Sequence, residues 1–189
     1  MPCEPHHDIL FEPIDIGPVT ARNRFYQVPH CNGMGYRDPT ALAAMRGIKA
    51  EGGWAVVCTE QVELHYSSDI TPFIELRLWD DRDIPALARM AEKIHEHGAL
   101  AGIELAYNGL NGPNLYSREV PMAPSPLPVA TFTYDPVQAR RMDKSGYRQY
   151  PALASGRRSA CATGGVRPHL CLCRPCPGVP PSFPFAPVQ

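Results

Sequence analysis

Seven amino acid types are missing from the last 44 residues of the chain. Residues 146–189 contain no Asp, Glu, Lys, Asn, Ile, Met or Trp, yet they hold five Arg, four of the seven Cys and eight of the 22 Pro. A segment without acids and with few large apolar residues is not typical of a packed domain. The division at residue 145 therefore predicts two regions: residues 1–145, from which function must be inferred, and an unstructured tail, residues 146–189.

We interpret this tail as translated in a shifted reading frame, because shifted GC-rich codons tend to encode Arg, Pro, Ala, Gly and Cys. Codons permitted by the protein sequence, read one nucleotide later around residues 168–176, can encode Asp-Leu-Ile-Tyr-Val-Tyr-Ala-Gly-His, a strand-like segment. A genuine disordered extension and an assembly artefact are the alternatives.

Other absences exclude several classes of protein. No apolar run approaches the roughly 18 residues of a membrane span, and residues 1–7 are too polar for a secretory signal. Residues 1–145 have 13 Lys and Arg against 19 Asp and Glu, which argues against nucleic acid and anionic membranes as partners. The three cysteines of this region, Cys3, Cys31 and Cys58, do not suggest a disulfide framework, so we expect a cytoplasmic protein.

Apolar periodicity and turn residues predict an α/β fold. Residues 8–17 indicate a hairpin. Strands are expected at residues 25–29, 54–60 and 101–105, with helices at residues 40–51 and from Asp83 to Gly98 between them. A long Pro-rich loop at residues 111–136 and a helix that begins at residues 143–145 follow. Alternating strands and helices with short connections predict a parallel sheet, either open or closed into a barrel.

Polar residues concentrate where these strands end, and folds of this kind place their chemistry there. The three segments are Val28-Pro-His-Cys31, Thr59-Glu-Gln61 and Glu104-Leu-Ala-Tyr107. They form the predicted site.

The same segments resemble a known family. Pro29-His-Cys31, Lys49-Ala-Glu-Gly-Gly-Trp54 and His97-Gly-Ala-Leu-Ala-Gly-Ile-Glu104 resemble the old yellow enzyme family of FMN-dependent (β/α)8 barrels, above all its trimethylamine/dimethylamine dehydrogenase branch. The resemblance extends from about residue 7 to residue 145. It implies the N-terminal part of a TIM barrel with its first three β/α units. The 4Fe-4S cluster and nucleotide-binding region of that branch have no counterpart in this chain.

The resemblance assigns FMN contacts to six residues: Val28, Pro29, His30, Cys31, Glu60 and Glu104. Cys31 matches the cysteine joined through sulfur to C6 of the flavin, and the adjacent His30 is expected to favour its thiolate. Val28, Pro29 and His30 match positions where the backbone meets the isoalloxazine ring. Glu104 matches a residue that hydrogen-bonds the pyrimidine edge, with an internal salt bridge as the competing interpretation.

The end of the second strand and the end of the third are assigned to the substrate side. Glu60 is expected to contact the cofactor on the side that faces the amine. Gln61 and Tyr107 are expected to contact the substrate. Gln61 is the discriminating residue, because the trimethylamine type resembles this chain but has Tyr there, whereas the dimethylamine type has Gln. A solvent-facing loop Gln is the alternative.

The resemblance implies FMN-dependent oxidative N-demethylation of a methylamine, with dimethylamine as the first candidate substrate. A histamine or other amine dehydrogenase, an NAD(P)H-dependent ene-reductase and a non-catalytic pseudogene product are the alternatives. For full-length relatives it implies an electron acceptor such as an electron-transfer flavoprotein, and a homodimer.

Catalytic residues are expected on later barrel strands, so none is assigned in this chain. With three strands of an eight-stranded barrel, we expect an exposed, aggregation-prone third strand, weak FMN binding and no turnover. No metal site is predicted, and the motif Cys171-Leu-Cys-Arg-Pro-Cys176 is discounted for want of a supporting strand or helix.

Overall fold

The protein consists of short strands and two long helices arranged around one main sheet. A computed structural model of the chain describes residues 4–70, 75–128, 137–146, 148 and 170–174. The predicted loop at residues 111–136 lies partly outside these ranges, as does most of the tail, including Cys176.

The first element of the described residues is a 3-10 helix, Pro5–Phe11, followed by the antiparallel hairpin of β1 (Ile14–Ile16) and β2 (Val19–Ala21). The hairpin predicted within residues 8–17 is therefore present but displaced along the chain. Pro5 at the start of the helical turn and Asp8 in that turn favour a helical beginning over an extended one. Gly17 and Pro18 form the turn of this hairpin.

Both predicted helices are present, with slightly different ends. Helix α1 (Pro39–Glu51) begins where Asp38 accepts a hydrogen bond from the Ala41 amide at 3.0 Å. It ends at Gly52 and is followed by Gly53 with φ +105°, a conformation that favours glycine. Helix α2 (Ile84–His95) buries one apolar face, formed by Ile84, Leu87, Met90, Ala91 and Ile94.

Asp83 stands at the predicted start of α2, but its carboxylate makes no capping bond to that helix. Its oxygens instead accept hydrogen bonds from the Arg77 guanidinium at 3.0 Å and the Trp79 amide at 2.9 Å. Gly98, with φ +67°, ends the C-terminal turn of α2 by donating to the His95 carbonyl at 2.9 Å.

The main sheet is parallel, and its strands follow chain order across the sheet: β3 (Tyr26–Gln27), β4 (Val56–Glu63), β6 (Leu100–Ala106) and β9 (Leu170–Arg174). A short strand, β5 (Leu76–Arg77), pairs with the carboxyl end of β4. The three strands predicted from the sequence thus exist with somewhat different ends, and the first is shorter because only Tyr26 and Gln27 pair with β4.

Two cores lie on opposite faces of this sheet. Val57, Ile103 and Leu105 pack with α1 and α2 in the larger core. Val56 and Cys58 pack with Ala21 of the hairpin in the smaller one. Because strand side chains alternate between faces, this division shows that the hairpin and the helices cover different sides of the sheet.

The tail contributes a strand, which the sequence analysis did not predict. β9 pairs in parallel with β6, from Gly102 opposite Leu170 to Ala106 opposite Arg174. The prediction of an unstructured tail is therefore wrong for residues 170–174, as is the claim that the Cys171–Cys173 part of the cysteine motif lacks a supporting strand. The free edge of β6 presents N–H and C=O groups that an extended segment can satisfy, and β9 covers the edge that was expected to be exposed.

Two short strands, β7 (Met122–Ala123) and β8 (Arg140–Arg141), form a separate parallel pair. The helix predicted to begin at residues 143–145 is present, with the Asp143 carboxylate accepting a hydrogen bond from the Gly146 amide at 2.8 Å. Among the described residues, no helix combines the length and apolar character needed to cross a membrane.

Candidate functional site

The predicted site residues come from three adjacent parallel strands, β3, β4 and β6, and from the segments that follow them. Parallel strands present their carboxyl ends at one edge of the sheet. Gln61 of β4 is the register partner of Glu104 of β6, so these two predicted residues lie side by side.

A β-bulge produces this pairing. Between the partners Cys58↔Gly102 and Gln61↔Glu104, β4 has one more residue than β6. The Thr59 hydroxyl accepts a hydrogen bond from the Glu104 amide at 3.0 Å and so satisfies a backbone group at the irregularity. The bulge lets Cys58 and Gln61, three positions apart, share one face of the sheet. Bulges often re-aim side chains next to active sites.

Glu60 lies inside the bulge and connects β4 to the segment after β3. Its side chain is fully buried, and Oε2 accepts a hydrogen bond from the Asn32 amide at 3.1 Å. Burial raises the pKa of this carboxyl, while the Asn32 amide and the Arg46 guanidinium oppose the shift. Its other oxygen, Oε1, has no hydrogen-bond partner of normal geometry among the described residues.

Arg46 is a site residue that the sequence analysis missed. It is fully buried on α1, where its guanidinium donates to Gln27 Oε1 at 2.8 Å and to the His30 carbonyl oxygen. The position of Arg46 in the sequence could have indicated that it is buried, because it falls on the same helical face as the apolar Leu42, Ala43 and Ala50. An arginine on a buried stripe needs partners, and here they are the end of β3 and its extension.

Residues 28–30, which follow β3, are partly exposed to solvent. Val28 is 62% exposed, and its carbonyl accepts a hydrogen bond from the Gln27 side-chain amide. Pro29 is half-buried and His30 is exposed. This places the predicted flavin-facing residues at an accessible edge beside Glu60.

Cys31 is exposed, but its surroundings do not favour the thiolate as the sequence analysis expected. Partial desolvation raises the pKa of its thiol from 9.0 to about 11, and the Glu75 and Glu60 carboxylates add to the shift against an opposing hydrogen bond from Gly33. The two carboxylates come from β4 and from the chain before β5, which the local sequence around Cys31 does not reveal. The adjacent His30 therefore does not bring the pKa of the Cys31 thiol below its ordinary value.

We expect alkylation of Cys31 by iodoacetamide to follow thiolate formation with a midpoint near pH 11. Rates measured by peptide mass mapping between about pH 7 and pH 10 should rise roughly tenfold per pH unit, with no plateau. In urea the same cysteine should level off above its ordinary pKa of about 8.5. A native plateau near pH 8.5 would contradict the proposed influence of the carboxylates.

Tyr107 is not brought to this site. It is buried in the larger core with the helices, and its hydroxyl lies 2.9 Å from the Ser67 Oγ. Ser67 in turn lies 2.8 Å from His65 Nδ1. Because Tyr107 follows Ile103 and Leu105 on the helix side of β6, its position does not support the predicted substrate role.

A buried polar cluster fixes the loops after β4 and β6 relative to each other. The Asp69 carboxylate accepts hydrogen bonds from the Tyr116 amide at 2.9 Å and the Ser117 amide at 2.8 Å. Asn114, which has φ +54°, accepts from the Asp69 amide through its side chain at 2.6 Å and donates to the Ser67 carbonyl. These bonds give the carboxyl edge of the sheet a defined shape.

Comparisons with known proteins match the sequence and the architecture of this chain. The model of the NADH:flavin oxidoreductase / NADH oxidase family matches residues 9–151. A dimethylamine dehydrogenase of Hyphomicrobium sp. (strain x) is 50% identical over 125 residues, which cover 66% of this chain and 17% of that enzyme.

Two solved structures are similar over most of the chain. Histamine dehydrogenase from Rhizobium sp. 4-9 superposes with a TM-score of 0.85 and 58% identity, covering 90% of this chain and 26% of that one. The 6-hydroxypseudooxynicotine amine oxidase of Pseudomonas geniculata N1 gives a TM-score of 0.83 and 39% identity, covering 89% and 25%. The chain therefore spans about a quarter or less of the length of these relatives, and its α/β architecture is the N-terminal part of a TIM barrel.

Proposed function

Because the chain belongs to the NADH:flavin oxidoreductase / NADH oxidase family, we propose that it is the FMN-binding N-terminal part of an amine-oxidising enzyme. The observation that supports this most is the convergence of Cys31, Glu60, Gln61 and Glu104 at the carboxyl ends of three adjacent parallel strands. This is the edge at which (β/α)8 barrels place their chemistry.

The residues present fit a flavin. Such a ring system needs a flat, partly apolar support and polar partners for its heteroatoms. Exposed Val28 offers apolar surface, while the buried Glu60 Oε1 and Arg46 Nε are polar atoms without a hydrogen-bond partner of normal geometry among the described residues. Buried polar atoms of this kind call for a ligand or water.

Each residue has a distinct role in the proposal. Cys31 would hold FMN through a thioether at C6 of the ring, and Val28, Pro29 and His30 would line its face. Glu104 would accept a hydrogen bond from the pyrimidine edge. When bound, FMN supplies the two-electron acceptor for oxidation of an amine to an iminium, which water hydrolyses to a carbonyl compound and a smaller amine.

Glu60 and Gln61 would recognise the amine. A buried carboxylate beside the ring attracts an ammonium group, and the Gln61 side-chain oxygen can accept a hydrogen bond from its N–H. On this basis dimethylamine is the first candidate substrate. Histamine is the second, favoured by the 58% identity to the Rhizobium histamine dehydrogenase. An electron-transfer flavoprotein as acceptor and a homodimer are proposed for full-length relatives, and a cytoplasmic location is proposed for this chain.

A chimera tests the function. Residues 1–145 would replace the matching segment of the Rhizobium histamine dehydrogenase, and flavin would be measured after acid precipitation. We expect flavin to remain in the protein pellet, and Cys31→Ala to release all of it, because only a covalent bond survives denaturation. Complete release from the unsubstituted chimera would contradict the proposal.

The same chimera tests substrate choice. Its kcat/KM for dimethylamine should exceed that for trimethylamine. Gln61→Tyr should shift the ratio of the two values about fivefold toward trimethylamine, since an aromatic face favours a more methylated cation by on the order of 1 kcal/mol. Preference for histamine over both methylamines would instead select the second candidate. The 189-residue chain alone is expected to retain little FMN and to turn over neither amine.

A further inference from the structure

Arg46 connects helix α1 to the segment that contains Cys31. The strand β3 ends at Gln27, so residues 28–31 continue beyond its pairing with β4. One Arg46 Nη donates to the His30 carbonyl and the other to Gln27 Oε1, while the Gln27 side-chain amide donates to the Val28 carbonyl. Two carbonyls of this segment therefore depend, directly or through Gln27, on one guanidinium.

Burial of the Arg46 guanidinium costs free energy, so the group is expected to have a role. A fully buried guanidinium loses its hydration, and desolvation accordingly lowers the pKa of Arg46, against the opposing charge of Glu60. Its two Nη donors hold acceptors from β3 and from the segment beyond it. A planar fork fixes two acceptors at a set distance, which a lysine ammonium does not do.

We propose that Arg46 is the positioning residue for Cys31: its guanidinium fixes the His30 carbonyl and the Gln27 side chain, and thereby holds the thiol beside Glu60 and Glu75. The inference rests on the proposed function in assigning the thiol to a flavin. The placement itself concerns only this chain. Without the fork, residues 28–31 would lose the bonds that fix them to α1, and Cys31 would move away from the carboxylates into solvent.

The proposal predicts the direction of a change in thiol reactivity. The charged groups that act on Cys31 are Glu60 of β4, Glu75 before β5 and Arg46 of α1. If Arg46 acted only by its charge, its removal would leave the two carboxylates unopposed and would slow alkylation. If it positions the segment, its removal frees the thiol from both carboxylates and from partial burial, and alkylation accelerates.

The experiment uses the full 189-residue chain at about pH 8 with iodoacetamide and peptide mass mapping. We expect Arg46→Met to alkylate Cys31 about tenfold faster than the unsubstituted chain, which corresponds to a fall of roughly one unit in its pKa. Arg46→Lys, which keeps the charge and loses the fork, should also be faster. Leu42→Ala on the same helix, a core substitution away from the fork, should leave the Cys31 rate within about twofold.

Cys58 serves as an internal control, because it is fully buried and becomes reactive only when the sheet opens. Slower or unchanged alkylation of Cys31 in Arg46→Met would overturn the proposal, as would acceleration of Cys58 in step with Cys31. Failure of the flavin assignment is a separate outcome, since it appears as acid-released flavin in the chimera and leaves the Arg46 effect on the thiol intact.

Discussion

Gly102→Ala is expected to destabilise the chain by about 3 kcal/mol, at the upper end of what overpacking costs. A Cβ at position 102 would lie 2.4 Å from the Cys58 sulfur, closer than such atoms approach in proteins. Cys58 has little freedom to move, because it is fully buried and its sulfur lies 2.9 Å from the Tyr26 hydroxyl. Urea unfolding followed by circular dichroism would measure the loss.

Removing the sulfur should rescue this substitution. In the double variant Gly102→Ala/Cys58→Ala the nearest side-chain atom would be the Cβ of position 58 at 3.5 Å, an ordinary contact. We expect a coupling energy of about 2 kcal/mol from the double-mutant cycle. Gly47→Ala on α1 is the matched control, because its Cβ would meet Lys93 at 3.5 Å, and it should be neutral or stabilising. A double variant no more stable than Gly102→Ala would refute the steric explanation.

The regular elements could be predicted because their signals are local. The apolar face of α2 follows from a 3.6-residue period, and α1 has both an Asp cap and a pair of terminal glycines. The hairpin was displaced because the helix-favouring Pro5–Phe11 segment competes with the alternating pattern. β9 was missed because its formation depends on the free edge of β6 and not on its own composition.

The arrangement of the candidate site follows from the sequence only in part. The strand ends predict that Gln61 and Glu104 lie at one edge of the sheet, but the bulge that places them side by side arises from hydrogen bonding between β4 and β6, which no pattern within one strand encodes. Tyr107 follows a strand end too, yet the alternation of β6 directs it into the helix-side core. The environment of Cys31 depends on Glu60 and Glu75, which are distant in sequence.

Glu63→Gln is expected to stabilise the chain at neutral pH and to have little effect in acid. Glu63 is 5% exposed, and its Oε1 accepts a hydrogen bond from the Ile70 amide at 2.8 Å, which a glutamine oxygen can also accept. Burial raises the pKa of its carboxyl well above the ordinary value, and the Asp69 and Glu75 carboxylates add to the shift, against the Ile70 amide and the Arg77 guanidinium.

The sign of the pH dependence follows from proton binding. With a raised pKa, the folded state keeps its proton at pH values where the unfolded chain has lost it, so the free energy of unfolding falls as pH rises from about 4.3 through the folded pKa. Glutamine has no such titration. We therefore expect Glu63→Gln to match the unsubstituted chain near pH 4 and to exceed its stability by roughly 1–3 kcal/mol near pH 8.

Glu92→Gln, on the exposed face of α2, should show no such divergence in urea unfolding at the two pH values. A constant offset between Glu63→Gln and the unsubstituted chain would mean that the pKa of Glu63 is the same in the folded and unfolded states. A loss of stability at the higher pH would mean that Glu63 is charged in the folded state and stabilised by Arg77.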